Sequence, residues 1–439
     1  PYAWRWFESN RWPNWQLYVD TFGEEACYIN PPPGWVIFNP ITSLRWVLHS
    51  RSSYNGSCFG MAISSFMVFN NRPAFLEEYS TMGSFDNLYD IDEATNEQRL
   101  IVNKLWLHQI GDVPQAHIEA NQHKTPVETL YAIKQMCLNE FRDDRILVFF
   151  NQGDDGGGHA VNPYKVGVGT EVDTIYIYDN NASGHVRKIH IDKLANTWHY
   201  PYMPTWGGSG GIFLMDATSN YLNTPIMPLT IPPEDEWISE RSGSGFVSLY
   251  NSSTASVSIQ NSAGELMGFN GSTITNEMSS GHPIIPITGS EQPPIGYYLA
   301  EDEYSISLSS NSDTLNYISA FYESNVMSYS RSAVSISETD YVSIGSGMTV
   351  ESYDSGERQY SFKSIAQTAE GFQTIEINDC EIGQAEHQSF YVEDQSLLIQ
   401  NGGAERQYNL KVRYTSSAVD TLFEHFTIPI GRDVIHKVS

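Results

Sequence analysis

Asn55-Gly56-Ser57-Cys58-Phe59-Gly60-Met61-Ala62 runs directly into Ile63-Ser64-Ser65-Phe66-Met67-Val68-Phe69. How that stretch is read decides what the first half of the chain builds. A cysteine that follows small residues and opens an apolar run of helical length is expected at a helix N-terminus. There the thiol meets unpaired main-chain N–H groups and the positive end of the helix dipole, and both favour thiolate over thiol. Gly56 and Gly60 permit a tight turn into the helix and close approach of a substrate backbone. Taken alone, Cys58 serves equally well as a small apolar side chain in a core helix. The residues that separate these readings lie far downstream.

Arg145-Ile146-Leu147-Val148-Phe149-Phe150 is short, apolar and rich in β-branched and aromatic residues, which predicts a buried strand. The loop Asn151-Gln152-Gly153-Asp154-Asp155-Gly156-Gly157-Gly158 then delivers His159 to the start of the next apolar segment, Ala160–Val168. One strand later, Tyr178 is followed by Asp179-Asn180-Asn181. A cysteine opening a helix, a histidine opening a strand and an acid or amide ending the adjacent strand can meet at one rim. In that arrangement the sulfur attacks a carbonyl, the imidazole takes and returns the proton, and the third residue sets the imidazole's tautomer.

Gly56-Ser57-Cys58-Phe59-Gly60, Gly158-His159-Ala160-Val161 and Tyr178-Asp179-Asn180-Asn181 resemble, in order along the chain, the Cys, His and Asn/Asp motifs of the papain-like cysteine peptidase superfamily. The resemblance spans roughly residues 50–215. It implies that Cys58 is the nucleophile and His159 the general base and acid. Asp179 is the orienting residue, with Asn180 the alternative. Papain-type enzymes carry an oxyanion-hole glutamine where this chain has Ser52. The resemblance therefore leaves Ser52, Ser53 and Asn55 as candidate donors beside the Cys58 N–H. The Cys-to-His spacing is closer to the compact bacterial members than to papain itself.

Other chemistry-bearing residues have plainer readings. His185 is a rival for the base, whereas His117 and His123 have no carboxylate in metal-ligand register. Asp154-Asp155-Gly156-Gly157-Gly158 lacks the remaining ligands of a calcium loop and reads as an active-site loop. The four cysteines, Cys27, Cys58, Cys137 and Cys380, form no C-x-x-C pair, so neither a zinc site nor a disulfide framework is expected. Cys27–Cys137 is a conceivable bridge, although Cys137 falls in the apolar stripe of a helix. No metal or cofactor is expected.

Working outward, three helices precede the strands. One runs from Cys58 towards Tyr79 and a second covers Asp92–Gln109. The third starts at Thr125, with Pro126 in the first helical position and Glu128 three residues after the cap. Thr174–Tyr178, Val186–Ile191 and Gly211–Met215 read as further strands. The opening aromatic cluster (Trp4, Trp6, Phe7, Trp12, Trp15) reads as irregular structure packed on this domain. Helices first and antiparallel strands afterwards predict an α+β class.

After a Pro-rich connection the pattern changes to short alternating strands punctuated by turns, predicting β-sandwiches. The expected organisation is a papain-like domain over 1–222, a linker over 223–234, and β-sandwich modules over 235–310 and 311–439. Of the net charge of −28, the first 222 residues carry 15 basic and 24 acidic side chains and the remainder 9 and 28, which concentrates the acidity in the β region. That balance argues against nucleic acid or an anionic membrane as partner. No apolar run has the length of a membrane span. A chain opening at Pro1 is expected to have lost a leader or pro-segment.

The expected protein is a secreted or cell-surface bacterial thiol hydrolase acting on protein or peptide amide bonds. Acyl transfer (transglutaminase-like) or amidase chemistry uses the same trio. An adhesion or binding protein with a degenerate catalytic domain is the alternative from another class.

Overall fold

A computed structural model describes residues 12–30, 36–51, 56–78, 96–139, 145–151, 156–182, 184–217, 247–251, 255–279, 281–288, 293–300, 302–310, 315–322, 325–332, 334, 338–353, 357–393 and 396–438. These residues form two compact units of a mixed α+β chain with a large β-rich part. The first takes in the described residues of 12–27 and 44–217 together with the short segment from 285 to 293, and the second the described remainder. Among the described residues no helix is long and apolar enough to cross a membrane.

In the first unit, helix α1 (Trp15–Phe22) is opened by Asn14, whose side chain accepts from the Leu17 N–H at 2.9 Å. Trp15 is buried, stacks on Tyr18 and meets Trp46 edge-on, and the Trp46 indole donates to the Pro13 carbonyl at 3.0 Å. Trp15 is core, but it opens a helix rather than lying in the irregular structure expected of the cluster; Trp4, Trp6 and Phe7 lie outside the described residues.

Helix α2 (Cys58–Glu78) begins at the cysteine. Helix α3 (Asn96–Leu107) ends in a tight turn at His108–Ile110. A methyl on Gly60 would lie 2.1 Å from the Val102 carbonyl oxygen, so the close approach it allows is of α3. Helix α4 (Asp112–Asn121), absent from the sequence reading, is pinned by His117, whose Nε2 bonds the Leu214 carbonyl at 2.9 Å. Helix α5 (Pro126–Leu138) starts in the predicted capping box, the Thr125 hydroxyl accepting from Glu128 N–H and the Glu128 carboxylate from Thr125 N–H.

Seven strands follow: β1 (Arg145–Phe150), β2 (Gly158–Gly167), β3 (Val172–Tyr178), β4 (Arg187–Asp192), β5 (Thr197–His199), β6 (Gly207–Gly208) and β7 (Ile212–Asp216). They form one antiparallel sheet in the order β6-β5-β4-β3-β2-β1-β7. Leu130, Ile133 and Met136 of α5 pack into one cluster with Leu147, Phe149, Val161, Ile175, Ile177, Ile189 and Ile191, the apolar sets of alternating strands. At the head of β3, buried Asp173 accepts from Lys134 of α5 at 2.6 Å and Lys193 at 3.0 Å, fixing helix to sheet.

The second unit is built on two nine-stranded sheets among the described residues. Pairing runs through residue 310: Tyr304–Ser310 lies antiparallel to Thr339–Ile344, and one apolar core takes in Leu249, Ile306, Ile318, Val342, Phe362, Ile399 and Ile430. The expected modules 235–310 and 311–439 thus share sheets and core. Alternating hydrophobicity marks a strand without naming its partner, and that is why the division was drawn. Buried Asp340 accepts from Arg331 at 2.7 Å, Arg358 at 3.0 Å and Asn316 at 2.8 Å, joining strands of both sheets. The linker 223–234 lies outside the described residues.

Candidate functional site

The three segments singled out in the sequence converge. Cys58 occupies the first turn of α2, where the first helical hydrogen bond runs from Met61 N–H to the Ser57 carbonyl at 2.9 Å. The earlier N–H groups at this end, and the positive end of the dipole, therefore lie beside the thiol. The Cys58 sulfur lies 3.9 Å from the Gly158 carbonyl oxygen, which places it against the residue preceding His159.

His159 stands at the start of β2, directly opposite Phe149 of β1. Just ahead of it, Asn151 N–H donates to the Gly157 carbonyl at 3.0 Å. Gly156 and Gly157 have φ of 75° and 108°, conformations that side-chain-bearing residues rarely adopt. Phe149 meets the imidazole edge-on with centroids 5.3 Å apart, and Trp198, Tyr200 and Trp206 surround Phe149 in turn. The ring's plane is thus held by aromatic packing.

Asp179 follows the last residue of β3, and its Oδ1 accepts from His159 Nε2 at 3.0 Å. Nδ1 is then the nitrogen left for Cys58. It has no partner within ordinary hydrogen-bond geometry. Oδ2 of Asp179 accepts from the Tyr200 hydroxyl, and Oδ1 also accepts from Asn181 N–H at 2.9 Å. Asn180, the other candidate for the third position, is engaged elsewhere. Its Nδ2 donates to the Cys58 carbonyl at 2.8 Å, so it holds the main chain that carries the thiol. Asn162 of β2 donates to the Ala62 carbonyl at 3.0 Å and ties the same helix to the histidine's strand.

Cys58 and His159 are each 1% exposed and Asp179 is 4% exposed. Burial alone would lower the imidazole's pKa. Only together do the charge of Cys58, the hydrogen bond to Asp179, the contact with Cys58 and the aspartate's charge outweigh burial and push His159 up to about 10. Burial works to raise the Asp179 carboxyl, but hydrogen bonding and charge from His159, with the Tyr200 and Asn181 donors, hold it below the ordinary carboxylate range. Burial and the aspartate together push the Tyr200 phenol up, so the hydroxyl remains a donor. The arrangement favours an imidazolium at His159, in a water-poor setting next to the Cys58 side chain.

Ser52, Ser53 and Asn55, the candidate oxyanion donors, lie outside the described residues. His185 is exposed at the turn before β4, where its N–H donates to the Ala182 carbonyl at 3.1 Å. All four cysteines are free thiols, so the conceivable Cys27–Cys137 bridge is absent; Cys137 is the least buried of them. Among the described residues no group of three or more His, Cys, Asp or Glu side chains could hold a metal. The sequence reading missed Tyr200. It follows a three-residue strand and bears no local mark of its role; only the fold brings it to Asp179.

No family model, curated protein or solved structure matches this chain.

Proposed function

We propose that the protein is a thiol-dependent hydrolase of the papain-like kind, most simply a peptidase. The observation that carries this reading is the 3.0 Å contact from His159 Nε2 to Asp179 Oδ1, with Nδ1 left for a cysteine at a helix N-terminus. Isolated core histidines have no need of that alignment.

The Cys58 sulfur attacks an amide carbonyl and forms a tetrahedral adduct. The developing oxyanion is met by the Cys58 main-chain N–H at the head of α2. The imidazolium of His159 passes its proton to the leaving amine, producing an acyl-enzyme and a neutral imidazole. The imidazole then takes a proton from water, whose oxygen attacks the thioester and releases the acid. Asp179 keeps Nε2 protonated and the ring aligned throughout, and Tyr200 keeps Asp179 in place.

The low exposure of the thiol and the acidic third residue favour a second reading, acyl transfer to an amine by the same trio. Product analysis of a peptide amide substrate with a primary amine present separates the two: free acid alone supports hydrolysis, an amide adduct supports transfer. Loss of turnover in Cys58→Ala tests both. A Cys58→Ala protein with its biological effect intact would support the adhesion reading instead.

A further inference from the structure

A short segment lies against the backbone on either side of the Cys58–His159 pair, and its residues can be named. Ile285, Pro286, Ile287 and Thr288 join, in sequence, the second-unit strands Gly281–Ile284 and Gly296–Leu299, yet they pack as part of the first unit. Thr288 N–H donates to the Gly158 carbonyl at 2.9 Å, and Ile287 pairs with Gly158 as a parallel β-bridge. Ile287 N–H donates to Gln109 Oε1 at 3.1 Å. Ile287 and Thr288 are buried.

The contact is of main chain on main chain. A methyl on Gly56 would lie 1.8 Å from the Thr288 carbonyl oxygen, and one on Gly158 would lie 2.9 Å from that of Pro286. Gly56 precedes Cys58 by two positions and Gly158 immediately precedes His159. The segment therefore touches both backbones, the one leading to the thiol at Thr288 and the one leading to the imidazole at Pro286–Thr288, with β-type pairing at Ile287. A groove whose walls are bare glycine backbone, and which is filled by β-type pairing, is suited to an extended polypeptide.

We infer that Ile285–Thr288 is a resident occupant of the substrate groove, a built-in strap that a substrate chain must displace. This deepens the hydrolase reading and rests on it. The strap's chemistry indicates what displaces it: an extended, uncharged segment with a β-branched side chain where Ile287 sits and a main-chain N–H for the Gly158 carbonyl. Release breaks the Thr288–Gly158 and Ile287–Gln109 hydrogen bonds and no covalent bond.

The test is the rate of iodoacetamide labelling of Cys58 in the full chain, located by peptide mass mapping. Thr288→Pro removes the donor to Gly158 and should speed Cys58 labelling about ten-fold or more, the worth of one buried hydrogen bond. Thr288→Val keeps the N–H and should label more slowly than Thr288→Pro. Gly56→Ala should speed labelling with the strap untouched, because its methyl collides with the Thr288 carbonyl. Unchanged rates in both Thr288→Pro and Gly56→Ala, or equal acceleration by Thr288→Val, overturn the inference. So does acceleration that in both variants extends to Cys27 and Cys380, since the segment would then be holding the fold. Selective acceleration without turnover of any amide would establish the strap and sink the hydrolase reading. Peptide turnover with Cys58 labelling as fast as a free thiol would do the reverse.

Discussion

Asn180 Nδ2 donates to the Cys58 main-chain carbonyl at 2.8 Å, so the residue next to Asp179 grips the residue that bears the thiol. Two neighbouring side chains thus fix both ends of the Cys–His pair. Asn180→Ala removes the donor and should cost about 1 kcal/mol of stability. It should also lower kcat/KM about ten-fold by loosening the head of α2. Urea unfolding and peptide hydrolysis on the same preparation check the two effects; unchanged kinetics would remove Asn180 from the site.

His159→Ala and Cys58→Ala should each lower turnover by about 10²–10⁴-fold or more, with the fold intact by circular dichroism. Combining them should cost little more than either alone, because the pair acts as a unit. Additive losses would contradict a shared proton path.

The pH dependence follows from His159 and Asp179. A histidine raised to about 10 contributes stability in full below its ordinary value of 6.5, and that contribution is lost as pH climbs through about 10. Asp179 is depressed, so its contribution is present above the ordinary carboxylate value and lost only as pH falls below it. Turnover should therefore fall on the alkaline side as the imidazolium loses its proton. Asp179→Asn removes a charge that raises His159 and should move that limb to lower pH. A limb that stays in place in Asp179→Asn would show that the carboxylate does not act on the imidazole.

Tyr200→Phe withdraws one donor from Asp179 Oδ2 and leaves the ring's packing on Phe149 in place. The expected effect is a fall of about 3–10-fold in kcat with KM nearly unchanged, as for loss of one hydrogen bond. A change confined to KM would place Tyr200 in substrate binding instead.

In the second unit, Asp340→Ala leaves the buried Arg331 and Arg358 guanidinium groups without their shared carboxylate. Removing one partner of such a buried network costs about 3–5 kcal/mol. Thermal unfolding of the full chain should show the second unit melting well below its unmodified midpoint; a shift of a degree or less would mean the guanidinium groups find new partners.

What could be read from sequence followed how local each signal is. The start of α5 is written in Thr125, Pro126 and Glu128, and β1 in an unbroken β-branched and aromatic run, because capping and burial act over a few residues. The convergence of Cys58, His159 and Asp179 was legible because each sits at the end of such an element. Helix α4 was missed because Pro114 sits in its first turn and reads as a breaker, although proline is tolerated there. Gly60 was assigned to a substrate approach when it serves the contact with Val102. Tyr200 and Ile285–Thr288 depend on where distant backbone passes, and neither short peptide carries a mark of its destination.

The continuous core of the second unit has a practical corollary. Residues before and after 310 supply strands to both sheets, so an expression boundary drawn there would strip partners from each and leave raw β-edges and half an apolar layer bare to water. Such fragments should emerge as inclusion bodies, whereas a piece that keeps every strand from Val247 to Val438 leaves both sheets and their shared core intact.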